Sequence, residues 1–250
     1  MNMQKFAVFD IDGTLLRWQF FHAIVNQLGK DGLLTNIEHK TIKDARMNWK
    51  NRTNPDSFNT YEQILVNTYL NSLPRISPAQ HKLAEDTVYK EYKNQLFTYT
   101  RDLISALKKQ GYFIVAISGS HHYIVGKLCK DLQINDYLAA EAEQIDSKYT
   151  GIVNTPIIDK SAALQKLVNK NDLNYKDSYA IGDSASDAAM LEQVDNPIAF
   201  NPDKKLYDIA IGPQANPITE PLSIVDNMSH LKGLEIDVTF NFSETPHHSK

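Results

Sequence analysis

The sequence predicts an α/β protein with a doubly wound parallel sheet (a Rossmann-like core) and an inserted α-helical domain. Short apolar runs that stop at acidic, serine or glycine residues alternate with amphipathic helical patterns. One long stretch with only helical spacing, residues 17–97, interrupts this alternation. Continuous apolar runs are typical of parallel strands, because these strands are buried on both faces.

Four apolar runs are expected to form the parallel strands. They cover residues 6–9, 112–117, 178–181 and 197–200. Helices are expected at 100–110, where Gly111 would serve as a C-cap, and at 161–168. Residues 137–153 are expected to form a β-hairpin that leaves the sheet, and Pro202 is expected to stand near the start of a short helix.

The stretch of residues 17–97 is expected to form a helical cap above the core. Both tryptophans fall within it, and Ser77-Pro78 has the pattern of an N-cap followed by proline at the first helical position. The predicted organisation is a core of residues 1–16 and 98–212, a cap of residues 17–97, and a C-terminal extension of residues 213–250.

Composition excludes several classes of protein. The 250 residues carry a formal net charge of −4, which does not support a basic nucleic-acid-binding face. No apolar run approaches the roughly 18 residues of a membrane span, and the N-terminus lacks the apolar segment of a signal peptide. The single cysteine, Cys129, excludes an internal disulfide and is expected in the core. We therefore expect a cytoplasmic protein with no membrane or nucleic-acid partner; its oligomeric state is not predicted.

The first strand ends in the sequence Asp-Ile-Asp-Gly-Thr at residues 10–14. Ligands of parallel α/β sheets bind beyond the carboxyl ends of the strands. Two acids at that edge, Asp10 and Asp12, repel each other unless they share a cation or a proton. A hard divalent ion such as Mg²⁺ is the usual solution, because it prefers oxygen ligands. The alternative is a structural turn capped by aspartates.

Further polar residues stand at the ends of two other predicted strands and at the start of one predicted helix. They are Ser118 and Gly119, Lys160, and the pair Asp183 and Asp187. Each has an ordinary structural explanation when taken alone: a Ser-Gly turn, a solvated lysine, and an N-cap with a helix-dipole carboxylate. His121 and His122 are expected on the surface of a helix, and the other histidines are not expected to form a ligand cluster.

The order and setting of these motifs closely resemble the haloacid dehalogenase superfamily of phosphohydrolases. The resemblance spans residues 5 to about 210, and the helical insert looks like the cap of the phosphoserine-phosphatase-like branch. It implies that Asp10 is the nucleophile, which would form an aspartyl-phosphate, and that Asp12 is the general acid and base. It also implies Mg²⁺ held by the Asp10 carboxylate, the Asp12 carbonyl and the Asp183 carboxylate.

The same resemblance implies that Ser118, Gly119 and Lys160 bind the phosphoryl group, while Asp187 supports the metal shell or Lys160. Gln19 matches the position where phosphoserine phosphatases carry a glutamate for the substrate ammonium, so phosphoserine itself is not assigned. The expected function is Mg²⁺-dependent hydrolysis of a small phosphorylated metabolite. A phosphotransferase acting on an alcohol and a non-catalytic protein that binds a phosphorylated ligand are the alternatives.

Overall fold

The computed structural model describes residues 4–54, 56–211 and 223–225. Within them the strands are β1 (Gln4–Phe9), β2 (Phe113–His121), β3 (Asp136–Ile145), β4 (Lys148–Asn154), β5 (Leu173–Gly182), β6 (Asn196–Phe200) and β7 (Ser223–Val225). They form one sheet in the order β4-β3-β2-β1-β5-β6-β7, in which every neighbouring pair is parallel except β3 and β4. The predicted fold class is confirmed.

The central strand β1 is apolar because both of its faces are covered. Phe6 and Val8 pack into one hydrophobic cluster, while Ala7 and Phe9 pack into another on the opposite face. Val8 lies between Val115 of β2 and Ala180 of β5, so the carboxyl ends of three adjacent strands meet at one edge.

The helices are α1 (Phe20–Lys30), α2 (Asn36–Lys50), α3 (Ser57–Ser72), α4 (Pro78–Tyr92), α5 (Thr98–Lys109), α6 (His122–Asp131), α7 (Lys160–Lys170), α8 (Ala188–Leu191) and α9 (Lys204–Ile211). Ser77 caps α4 through a capping box, with Pro78 at its first position, as the sequence predicts. Gly111 follows α5 at a φ of +82°, and its N–H donates to Lys108, so it ends that helix as predicted.

The predicted hairpin forms, but it does not simply leave the sheet. The first half of β3 pairs in parallel with β2, where Ala116 lies opposite Tyr137, and only its second half pairs with β4. Asp146 and Ser147 make the tight turn with φ values of +50° and +61°, which two-residue hairpin loops favour because this turn matches the twist of the strands.

The helices of the predicted cap pack directly on one layer of the core. The cluster that contains Phe9 of β1 also contains Leu28 of α1, Leu65 of α3 and Val125 of α6. Cys129 is buried in the same cluster, as expected. The division at residues 17–97 stays a prediction; of the predicted extension, only Ser223–Val225 is described and the remainder lies outside the described residues. Among the described helices, none has the length and apolar character needed to cross a membrane.

A network of ion pairs and a hydrogen bond joins α4 of the cap to α6 of the core. Asp86 of α4 accepts a hydrogen bond of 2.8 Å from the Tyr123 hydroxyl and pairs with the Lys127 ammonium. Lys82, one turn earlier in α4, lies 3.6 Å from the same carboxylate. The hydrogen bond from Lys127 holds the pKa of Asp86 below its usual range.

Asp86→Asn should lower the free energy of unfolding by about 1 kcal/mol at pH 7, because a small charge network is broken. A depressed folded-state pKa contributes stability above the unfolded-state pKa, about 3.9, and this contribution is lost as the pH falls through the folded-state pKa. The difference in Tm between parent and variant should therefore shrink below about pH 4. Asp44→Asn, which breaks an exposed pair with Lys40 inside α2, is the control. If Asp86→Asn and Asp44→Asn lower the Tm equally, Asp86 does not hold the cap against the core.

Candidate active site

The carboxyl ends of β1, β2 and β5 bring the predicted residues together. Asp10 follows β1, and its N–H donates to Ile181 of β5 at 2.9 Å. Ser118 lies within β2, which continues beyond the predicted end of that strand to His121. Asp183 follows β5 directly. The side chains of Asp10 and Ser118 are buried, so both groups are shielded from bulk water.

Lys160, the first residue of α7, is the buried cation of the site. Its ammonium lies 2.7 Å from Oδ1 of Asp10 and 2.5 Å from Oδ1 of Asp187, and the residue is 2% exposed. Burial alone would lower the pKa of Lys160, but the charges of Asp10 and Asp187 outweigh burial and raise it. The lysine is therefore protonated and ties two carboxylates from distant parts of the chain.

Asp12 has a different set of partners. Its Oδ1 accepts a hydrogen bond of 2.7 Å from the N–H of Phe20, and its Oδ2 accepts one of 2.9 Å from the Ser118 hydroxyl. Burial raises the pKa of Asp12 in spite of these hydrogen bonds. A carboxyl group with a raised pKa can hold a proton and donate it, which is what a general acid requires.

A glycine allows the turn after β1 to approach Asp183. Gly13 has a φ of +92°, and a Cβ atom at this position would lie 2.2 Å from Oδ2 of Asp183. The hydroxyl of Thr14 donates to Oδ1 of Asp183 at 3.2 Å. Burial, together with the negative charges of Asp10 and Asp187, raises the pKa of Asp183 well above its usual value.

Asp187 is the last residue of a short 3-10 turn, Ala185–Asp187, which directly precedes α8. Its Oδ2 accepts the N–H of Asp183 at 3.1 Å and that of Ser184 at 2.9 Å, while Oδ1 contacts Lys160. Both oxygens of this fully buried carboxylate are thus engaged, so Asp187 positions its neighbours.

The acidic group can hold a divalent cation. Carboxylate oxygens of Asp10, Asp183 and Asp187 lie within 4.8 Å of one another. Oδ2 of Asp10 is buried without a hydrogen-bond partner among the described residues. A buried carboxylate oxygen without a partner is costly, and a cation bound at Asp10 and Asp183 would remove that cost. Oxygen ligands of this kind suit a hard ion.

The remaining predicted residues border this group. Gln19 is half-buried and immediately precedes α1, whose first N–H contacts Asp12. Gly119 lies against Ile157: a Cβ atom there would come within 2.9 Å of that side chain. Sequence reasoning missed Ser120, whose hydroxyl accepts the N–H of Phe21 at 3.0 Å. The Ser-Gly-Ser pattern after an apolar run was the available signal.

The prediction that His121 lies on the surface of a helix is wrong. This side chain is buried, and its ligand atoms form a group with His81 and Glu85 of α4. His122, the next residue, is exposed as predicted, with a side chain that is 51% accessible. The expectation failed because the cap helix that covers His121 comes from a segment forty residues earlier in the chain.

A parallel α/β core that carries buried aspartates and a lysine at its carboxyl edge, with helices inserted after β1, is the arrangement of a capped Rossmann-like hydrolase. The family model of the haloacid dehalogenase-like hydrolases matches residues 7–192, so the chain belongs to that family. The predicted resemblance to its phosphoserine-phosphatase-like enzymes is confirmed by the relatives and by the fold.

Three curated relatives illustrate the similarity. The phosphoserine phosphatase of Archaeoglobus fulgidus is 23% identical over 84% of this chain, which spans only 56% of that protein. The phosphoserine phosphatase of Methanocaldococcus jannaschii is 24% identical over 79% of this chain and 85% of its own length. The histidinol-phosphatase of Neisseria meningitidis is 26% identical over 82% and 93%.

Solved structures agree on the fold. A Bordetella pertussis Tohama I protein of unknown function has a TM-score of 0.71 and 19% identity, covering 90% of this chain and all (100%) of that chain. A phospho-aspartyl intermediate analogue of phosphoserine phosphatase has a TM-score of 0.61 and 20% identity, covering 90% and 94%. At these identities the similarity shows the fold alone.

Proposed function

We propose that this protein is a Mg²⁺-dependent phosphomonoester hydrolase that acts on a small phosphorylated metabolite, with Asp10 as its nucleophile. The observation that carries the proposal is the state of the Asp10 carboxylate. One oxygen is held by Lys160 at 2.7 Å, and the other is buried without a hydrogen-bond partner among the described residues, in a carboxylate that lies with Asp183 and Asp187 in one group. A carboxylate fixed in this way can offer one oxygen to a cation and the other to phosphorus.

Asp10 and Asp12 divide the chemistry between them. In the first step a carboxylate oxygen of Asp10 forms a bond to phosphorus and the bond to the leaving alkoxide breaks, while Asp12 gives the alkoxide its proton. In the second step Asp12 takes a proton from the water that attacks the aspartyl-phosphate, which releases phosphate and restores Asp10. The raised pKa of Asp12 and its contacts with Phe20 and Ser118 fit this exchange of one proton.

The roles of the remaining residues follow from the balance of charge around Asp10 and the anionic substrate. Burial raises the pKa of Asp10 to about 7, while Lys160 works in the opposite direction and favours the ionised form that attacks. Mg²⁺, held by Asp10, Asp183 and the Asp12 carbonyl, would supply positive charge that screens the nucleophile from the anionic substrate. Lys160, the Ser118 hydroxyl and the Gly119 N–H would bind the phosphoryl oxygens.

The relatives support a small substrate, since those with assigned activities are named phosphoserine phosphatases and a histidinol-phosphatase. Gln19 argues against assigning phosphoserine as the substrate of this chain from the similarity alone. A neutral amide does not pair with a substrate ammonium as a carboxylate does. We therefore propose the phosphomonoester class and leave the alcohol portion to experiment.

The test measures phosphate release from a panel of small phosphomonoesters. Some of these substrates carry an amino group on the alcohol portion and others do not, and each is assayed with Mg²⁺ and with a chelator. Hydrolysis in Mg²⁺ that stops in chelator is expected. Addition of alcohols distinguishes the alternatives: a faster loss of substrate without a matching rise in phosphate indicates a phosphotransferase. Binding of phosphomonoesters without turnover of any of them would overturn the proposed hydrolysis.

A further inference from the structure

A second group of ligand-type side chains lies where the cap meets the core. His81 and Glu85 are one turn apart on α4, and His121 ends β2, the strand that carries Ser118. The three residues are only 1%, 3% and 6% exposed. One ligand atom from each lies within 4.8 Å of the others. Two imidazoles and a carboxylate are thus held together out of contact with water.

Glu85 is not satisfied by its protein neighbours. Its Oε2 lies 3.2 Å from Nδ1 of His81, but its Oε1 is buried without a hydrogen-bond partner among the described residues. A buried carboxylate oxygen without a partner loses its hydration and gains nothing in return. The arrangement is therefore incomplete unless something else binds to this carboxylate.

One pair of atoms in this group has a spacing that suits metal ligands. Two ligand atoms about 2.1 Å from a tetrahedral ion lie about 3.4 Å apart, and Nδ1 of His81 lies 3.2 Å from Oε2 of Glu85. The other nitrogen of His81, Nε2, lies 2.9 Å from the buried hydroxyl of Tyr69. Metal-bound histidines commonly use their second nitrogen in such a hydrogen bond, which fixes the ring.

His121 is suited to be the third ligand. Its ring centroid lies 4.7 Å from that of His81. Its side chain is buried at the end of β2, and an imidazole nitrogen offers a lone pair of the kind that binds transition metals.

We propose that His81, Glu85 and His121 bind a divalent transition metal ion of the Zn²⁺ type, at a site separate from the acidic group around Asp10. Imidazole nitrogens select ions such as Zn²⁺ and Co²⁺, whereas Mg²⁺ favours oxygen ligands. The bound ion joins a cap helix to β2. Phe21, which stacks on His121 with ring centroids 6.3 Å apart, connects the site to the start of α1.

The test uses the full-length chain, freed of transition metals and kept in excess Mg²⁺ so that the acidic group is filled. Titration with Co²⁺ should produce the intense visible absorption of a four- or five-coordinate ion at one equivalent per chain, and Zn²⁺ should remove this absorption. Zn²⁺ at about 100-fold above its Kd should also raise the Tm by about 5 °C.

Variants locate the site. His121→Asn and Glu85→Gln should each weaken Co²⁺ binding by about 100-fold, whereas His122→Asn, which changes the exposed neighbouring histidine, should leave it unchanged. Asp183→Asn, in the acidic group, should keep the visible absorption. Absence of both the absorption and the Zn²⁺ effect on Tm in the parent protein would overturn the proposal, whether or not the variants fold. Unchanged Co²⁺ binding in folded His121→Asn would overturn it as well.

Discussion

Asp10→Asn should lower the kcat for phosphate release by about 10⁴-fold or more, because an amide cannot form the aspartyl-phosphate. Asparagine has nearly the same shape as aspartate, and Lys160 keeps its ion pair with Asp187. The fold should therefore survive. Phosphate release from the best substrate of the panel, at saturating substrate and Mg²⁺, measures the effect.

The same substitution should not destabilise the protein in the absence of divalent ions. The carboxylates of Asp10, Asp183 and Asp187 lie in one group, of which Asp10 and Asp187 contact the ammonium of Lys160, and burial raises the pKa of Asp10 to about 7. Replacing one of these acids by a neutral group removes repulsion, so the Tm in chelator should equal or exceed that of the parent. Added Mg²⁺ should raise the Tm of the parent more than that of the variant.

Asp44→Asn, on the exposed face of α2, is the matched control and should change neither measurement. If Asp10→Asn hydrolyses substrate as fast as the parent, Asp10 is not the nucleophile and the proposed mechanism is wrong. If activity disappears together with the fold, as judged by circular dichroism, the comparison moves to Asp12→Asn. That variant lacks the proposed acid but keeps the proposed nucleophile.

The core of this fold could be predicted from the sequence because its signals are local. The strands β1, β2 and β5 each contain a continuous apolar run, and the functional residues stand at the point where the run stops. Asp10, Ser118 and Asp183 therefore identify one edge of the sheet before any pairing is known. The capping of α4 was predictable for the same reason, since Ser77 and Pro78 are adjacent in the chain.

The contacts that depend on the docking of distant segments could not be predicted. Asp187 and Lys160 form an ion pair only after α7 has packed beside the end of β5, so residue spacing does not encode this contact and only the family resemblance implied it. His81 and His121 meet only because α4 packs over the end of β2. The parallel pairing of the first half of β3 with β2 was not predicted, because Tyr137 and Leu138 are only partly buried at their place in the sheet and their pattern is less apolar than that of β1.

Lys160→Met should both inactivate the protein and destabilise it. Methionine keeps much of the length of the side chain but removes the charge, which leaves Asp10 and Asp187 buried without their cation. Removal of one partner from a buried ion pair typically costs about 3–5 kcal/mol, which corresponds to a fall in Tm of about 10 °C for a chain of this size. The kcat should fall as well, because Lys160 no longer balances charge at the phosphoryl group.

The pH dependence of this variant tests the electrostatic cause. In chelator the folded-state pKa of Asp10 is already above its unfolded-state value, and loss of the lysine charge raises it further. A raised carboxyl pKa contributes stability below the unfolded-state pKa, about 3.9, and that contribution is lost as the pH rises through the folded-state pKa. The Tm deficit of Lys160→Met should therefore be small near pH 5 and should grow toward pH 8.

Lys166→Met is the control for Lys160→Met. It shows whether loss of any lysine from α7 lowers the Tm, or only loss of the ammonium that balances Asp10 and Asp187. Lys166 lies on the exposed side of the same helix, so its replacement should leave the Tm nearly unchanged at both pH values. A Tm deficit of Lys160→Met that does not change with pH would indicate lost packing rather than unbalanced carboxylates. In that case the ammonium would not be what allows Asp10 and Asp187 to be buried together, and the ionised nucleophile would need another source of stabilisation.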